Sequence, residues 1–168
     1  MPFCLGIPNI ITYFSQVVNK MDEKKTKKII IIGSRQRNSE KDYLAVYNAF
    51  RIVYDFNDVI ISGGCPKGAD HFAELIAERH GITKENGQLK IHLPVKPKRG
   101  APRYVWSKVM YDRNTIVANE AEVDSVVIAC IVSPEDGLES VLKRKRGGTE
   151  DTLKKIAGHG RCKNIMLV

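Results

Sequence analysis

Lys28-Ile29-Ile30-Ile31-Ile32-Gly33-Ser34-Arg35 sets an unbroken β-branched run directly before a glycine and a small hydroxyl residue. Such a run, with no polar alternation, predicts a strand buried on both faces, as in a parallel sheet covered by helices. The pattern then repeats. Tyr43, Val46, Tyr47, Phe50 and Val53 recur at helical spacing, and Val59-Ile60-Ile61 predicts a second buried strand. Ala69, Phe72, Leu75 and Ile76 mark a second helix that ends near Gly81. Leu89 to Leu93 predicts a third strand, Trp106 to Ala121 a third helix and Val126 to Val132 a fourth strand. Ser133 to Arg146 predicts a long polar connection, followed by a helix from Thr149 to Ala157 and a last strand from Ile165 to Val168. Strand–helix alternation of this kind implies a three-layer, Rossmann-like α/β fold with a doubly wound, mostly parallel, five-stranded sheet.

The 168 residues suit one domain, which we place at residues 28–168. Residues 1–27 differ in character. Pro2, Gly6 and Pro8 precede the apolar stretch Ile10 to Val18, with no basic segment before it, so the region predicts an N-terminal extension and not a signal peptide. No apolar run reaches the ~18–20 residues of a membrane span, so no membrane partner is expected. Cys4, Cys65, Cys130 and Cys162 form no CxxC pair, and none of the four histidines sits at metal-ligand spacing. A reducing, cytoplasmic setting and no metal or cofactor are therefore expected. The net charge of +8 is concentrated in Lys24–Lys28, Lys96–Arg103 and Lys143–Arg146. Basic clusters of this kind are solvated loops or docking points for phosphate ligands and nucleic acid.

Small residues stand where strands give way to helices. Gly33-Ser34-Arg35 follows the first strand, Ser62-Gly63-Gly64-Cys65-Pro66-Lys67-Gly68-Ala69-Asp70 the second, and Gly147-Gly148-Thr149-Glu150-Asp151-Thr152 opens the last helix. Strand C-termini of a parallel sheet form one edge where ligands bind, and helix N-termini there present free N–H groups to anions. Gly33, Ser34, Arg35, Ser62, Gly63, Gly64, Lys67 and Gly68 are thus candidate ligand contacts, with Gly147, Gly148 and Thr149 across the edge and Arg113 and Asn114 from the helix between. Thr149 also predicts a helix cap. Asp70 reads either as a ribose ligand or as a cap of its own helix. The central loop is not a Walker A motif, because Lys67 precedes its glycine, and it is not GxGxxG. Met110-Tyr111-Asp112-Arg113-Asn114 places an Arg-Asn pair within a helix. Arg113 there either aims at the ligand or pairs with Asp112 or Glu120.

Together these four motifs, in this order, resemble the Rossmann-like SLOG superfamily, and most of all its small YspA-like branch. The likeness spans Lys28 to Val168. It implies binding of a nucleotide or nucleotide derivative, and homo-oligomers are common among such relatives. In the LOG branch, phosphoribohydrolases release the base from nucleoside monophosphates, and Arg113 matches an arginine implicated in catalysis. Here Asn114 replaces a lysine, and Thr152 stands where that branch has its catalytic glutamate, leaving Glu150 and Asp151 as substitutes. The DprA branch binds single-stranded DNA, for which the basic loops with Tyr104 and Trp106 would serve.

Three expectations result. The leading one is a nucleotide-binding protein, with a sensing role as its extension, in which Arg35, Lys67 and Arg113 supply charge. The others are N-glycosidic hydrolysis through Arg113, Glu150 or Asp151, and single-stranded nucleic-acid binding.

Overall fold

The computed structural model describes residues 26–145, 147–160 and 162–168. The expected N-terminal extension lies almost wholly outside them. Strands β1 (Lys28–Gly33), β2 (Val59–Ser62), β3 (Leu89–Ile91), β4 (Val126–Cys130) and β5 (Asn164–Leu167) form one sheet in the order β3-β2-β1-β4-β5. Every pairing is parallel. The helices are α1 (Glu40–Val53), α2 (Ala69–Arg79), α3 (Arg103–Asn119), α4 (Gly137–Lys143) and α5 (Gly148–Gly158).

The isoleucine run of β1 serves two cores, because successive side chains of a strand point to opposite faces. Ile29 and Ile31 pack with Phe50 of α1 and Phe72 and Ile76 of α2. Ile30 and Ile32 pack with Val117 of α3 and Leu153 and Ile156 of α5. Helices therefore cover both faces of the sheet. The chain leaves β1 toward β2 and β3, then crosses back to β4 on the other side of β1. That reversal opens a crevice at the C-terminal ends of β1 and β4, where ligands of doubly wound folds bind.

Several boundaries move. The connection after β4 is not wholly irregular: a 3₁₀ turn at Pro134–Asp136 leads into α4, whose Val141 is buried in the second core. The polar residues there hid two apolar anchors, buried Val141 and the partly buried Leu142 beside it. Helix α3 begins at Arg103, directly after Pro102, since a proline at a helix start forfeits no intrahelical bond. Edge strand β3 ends at Ile91, where its neighbour β2 ends at Ser62. No described helix is long and apolar enough to cross a membrane.

The turn after β1 is held from beneath. Ser39 and Asp42 form a reciprocal capping box at the start of α1: Asp42 N–H donates to Ser39 Oγ (3.3 Å) and Ser39 N–H to Asp42 Oδ2 (3.0 Å). Arg37 spans the turn, donating through Nε to Asp42 and through Nη1 to the Ile131 carbonyl. Burial raises the Asp42 carboxyl, but the Ser39 N–H, Arg37 and the Ser39 hydroxyl outweigh it and hold it below its ordinary 3.8. Asp42→Ala is expected to cost about 1–3 kcal/mol at neutral pH, through the lost cap and the stranded Arg37. A lowered carboxyl stabilises the fold above its unfolded value and ceases to as pH falls through the folded one. Urea unfolding of wild type and variant should therefore converge in acid.

Candidate ligand-binding site

The crevice is a cavity of about 740 Å³. The turn after β1 (Gly33 to Gln36), one side of α3 and the start of α5 (Gly147 to Glu150) enclose it. A second cavity of about 530 Å³ continues past Arg113, lined by Gly63, Gly64, Pro66, Lys67 and Pro94. The two share Arg35, Gln36, Cys65, Met110 and Arg113 as a common wall.

Arg113 lies at the junction. Its Nη1 donates to Asp70 Oδ2 at 3.2 Å, and the two side chains are only 11 % and 5 % exposed. Its partner is thus neither Asp112 nor Glu120 but a carboxylate from α2. Arg113 Nε is buried with no hydrogen-bond partner among the described residues. Gly63 makes this placement possible: a Cβ there would lie 1.4 Å from Arg113 Nη1 and 2.8 Å from Asp70 Oδ2. Asp70 also accepts the Cys65 N–H (3.1 Å), and it does not cap α2, which starts from Gly68 without a side-chain cap. Burial pushes the Asp70 carboxyl above its ordinary 3.8, even though Arg113, the Cys65 N–H and Arg35 all favour the ionised form.

The glycine loop after β2 spends its donors internally. Gly64 N–H donates to Ser62 Oγ (3.2 Å) and Gly68 N–H to Asn38 Oδ1 (2.7 Å). Buried Ser62 in turn donates its hydroxyl to the Asp70 carbonyl (3.1 Å). Backbone donation from Gly64 and Gly68 to a phosphate, and a direct contact from Ser62, do not fit this arrangement. Gly68 is required sterically instead: its φ is +73°, and a Cβ would come within 2.5 Å of the Ser34 carbonyl. This close crossing packs the β2 loop beneath the β1 turn. Lys67 is exposed and reaches only the second cavity.

Across the crevice the donors remain open. Helix α5 has Gly147 as its N-cap and no side-chain cap, so its first-turn N–H groups are left for a ligand or water. Thr149 lies inside the first turn and does not cap it. The Ser34 N–H is bound to the Cys130 carbonyl (2.8 Å), and its Oγ accepts from Gln36 N–H (3.3 Å) while its hydroxyl donates to none of the described residues. Arg35 stands exposed at the rim.

The remaining candidates divide. Asn114 is buried and holds the start of α5, donating from Nδ2 to the Gly148 carbonyl and to Asp151 Oδ2, both at 3.1 Å. Asp151 is bound by Lys155 (2.7 Å) and does not line the cavity. Glu150 does line it, folded over Gly147 and 3.6 Å from Arg144 Nη1. Cys65 is a partly exposed free thiol on the shared wall. Among the described residues no His, Cys, Asp or Glu cluster could hold a metal ion. The α3 wall also carries Arg103, Trp106 and Met110, of which the sequence offered only Trp106, paired with Tyr104, as a nucleic-acid stacking residue. Their spacing of three and four residues was visible but unassignable until the facing side of the helix was known.

Comparison with protein-family models, curated proteins and solved structures gives no match.

Gly63→Ala tests the steric logic of the site. The added methyl is expected to drive the guanidinium from Asp70 and cost about 1–3 kcal/mol, with the far-ultraviolet circular dichroism spectrum retained. Unchanged unfolding in urea would show that Arg113 does not need the space above Gly63.

Proposed function

We propose that this chain is a cytoplasmic, SLOG-like protein that binds a nucleotide or nucleotide-derived phosphate ligand in the crevice between β1 and β4. The observation that carries the reading is the convergence of the uncapped α5 N-terminus and the Arg113 guanidinium on one cavity. Backbone N–H groups at a helix start and a guanidinium are complementary to phosphate oxygens by charge and by geometry. The buried, unpartnered Nε of Arg113 supports the same reading, since a small rotation of the guanidinium onto an anion would supply its missing acceptor. Ser34 Oγ and Arg35 would complete the cradle from the β1 side. Asp70, bound to Arg113, would fix the guanidinium and would not hold ribose. A cavity of about 740 Å³ is of the size that encloses a small organic ligand.

N-glycosidic hydrolysis is a second reading, favoured by one feature. Glu150 and Asp70 both line the cavity, and a carboxylate beside the ribose would stabilise an oxocarbenium-like transition state. Asp151 is the weaker candidate because Lys155 and Asn114 occupy it.

Isothermal titration with a panel of nucleoside monophosphates tests the first reading. Arg113→Ala is expected to weaken binding about tenfold to 100-fold, and Arg113→Lys less, because only the arginine offers a planar pair of donors. Unchanged affinity in Arg113→Ala would refute the assignment. Chromatography of the same mixtures for free base decides the second reading: release by wild type that is lost in Glu150→Gln would establish hydrolysis.

A further inference from the structure

The α3 wall of the cavity is one helical stripe with a gradient along it. Trp106, Met110 and Arg113 all line the cavity at spacings of three and four residues, which sets them on one side of the helix. The end of the stripe near α5 is polar, with Arg113 beside Asn114. The other end is Trp106, which lines the cavity and is 43 % exposed. Trp106 and Arg113 are seven residues apart, about 10 Å along a helix axis. That span matches the reach of a nucleotide from its phosphate across the sugar to its base. Tyr104, close to Trp106 in sequence, is 74 % exposed and lies off the cavity. The two aromatics are therefore not one stacking surface, and of the two only Trp106 lines the pocket.

We infer that Trp106 is the base-recognition residue of this pocket, stacking the planar heteroaromatic ring of a ligand whose phosphate sits between Arg113 and the start of α5. The inference rests on the nucleotide reading above and narrows it. The ligand carries its base, and a bare sugar phosphate fills only half of the site. Met110, one turn from both Trp106 and Arg113, packs against the sugar between them. Stacking on an indole tolerates any base, because every base offers a π face, so Trp106 adds affinity without choosing among bases.

Trp106 is the sole tryptophan of the chain, so its emission reports this site alone. The full chain is titrated with adenosine 5′-monophosphate and with ribose 5-phosphate, following both tryptophan fluorescence and heat. The nucleotide is expected to quench emission saturably, with the Kd found by calorimetry, while ribose 5-phosphate binds and leaves emission nearly unchanged. Trp106→Ala should weaken nucleotide binding about fivefold to 100-fold, keep ribose 5-phosphate within about twofold and be largely rescued in Trp106→Phe. Equal affinity for the two ligands, unaffected by Trp106→Ala, would overturn the inference and leave the phosphate reading standing. Binding of neither ligand would overturn both. An emission maximum that moves to the blue with protein concentration, with no quenching by nucleotide, would also overturn it, by showing that a second copy covers the indole.

Discussion

Burial of β1 on both faces is the constraint on which the rest of the molecule depends. Ile29 and Ile31 belong to one core, Ile30 and Ile32 to the other, so neither layer of helices can be removed without exposing the central strand. The strand pairs in parallel with β2 and β4, and the crossover helices that such pairing requires cover both faces. The chain supplies them by winding first toward β3 and then back toward β5. The crevice at the end of β1 follows from that reversal, so the site is a consequence of the same burial that holds the fold together.

Within the crevice, polar groups divide by whether the fold has already used them. The β2 loop is glycine-rich, but three of its N–H groups, those of Gly64, Cys65 and Gly68, are spent on Ser62, Asp70 and Asn38. Its glycines answer to steric demands, Gly63 leaving room for the guanidinium and Gly68 for the β1 turn. The α5 start is the opposite case: no side chain hydrogen-bonds its first turn as a cap, although Glu150 folds over Gly147. Asn114 holds that start through a carbonyl and a carboxylate, which leaves the N–H groups unspent. A loop that reads as a phosphate cradle is thus largely a support, and the uncapped N–H groups of the crevice lie on the helix opposite.

The Arg113–Asp70 pair carries the charge balance of the site. Burial raises the Asp70 carboxyl despite the adjacent guanidinium, so desolvation works against its charge while Arg113 and the Cys65 N–H work for it. An anion arriving at Arg113 would meet a cation already fixed in place, with little side-chain entropy left to lose. The neighbouring Arg35 and the α5 dipole add charge of the same sign. Asp70 therefore reads as the residue that orients Arg113, a role its sequence neighbours did not suggest.

The fold and the edge on which the site lies were legible in the chain alone. The β-branched runs, the helical spacing of Tyr43 to Val53 and the small residues after strands state a local chemistry that short segments carry by themselves. The sequence also grouped Gly33–Arg35, Arg113 and Gly147–Thr149 as candidates, and the tertiary structure gathers them on one cavity. It could not tell Asp112, Glu120 and Asp70 apart as partners of Arg113, because the answer depends on how α2 and α3 meet across β2. Nor could it tell spent donors from open ones, separate Trp106 from Tyr104 or see α4 behind its single buried valine. Each of those distinctions is a matter of which surface faces which, and only the packed chain decides that.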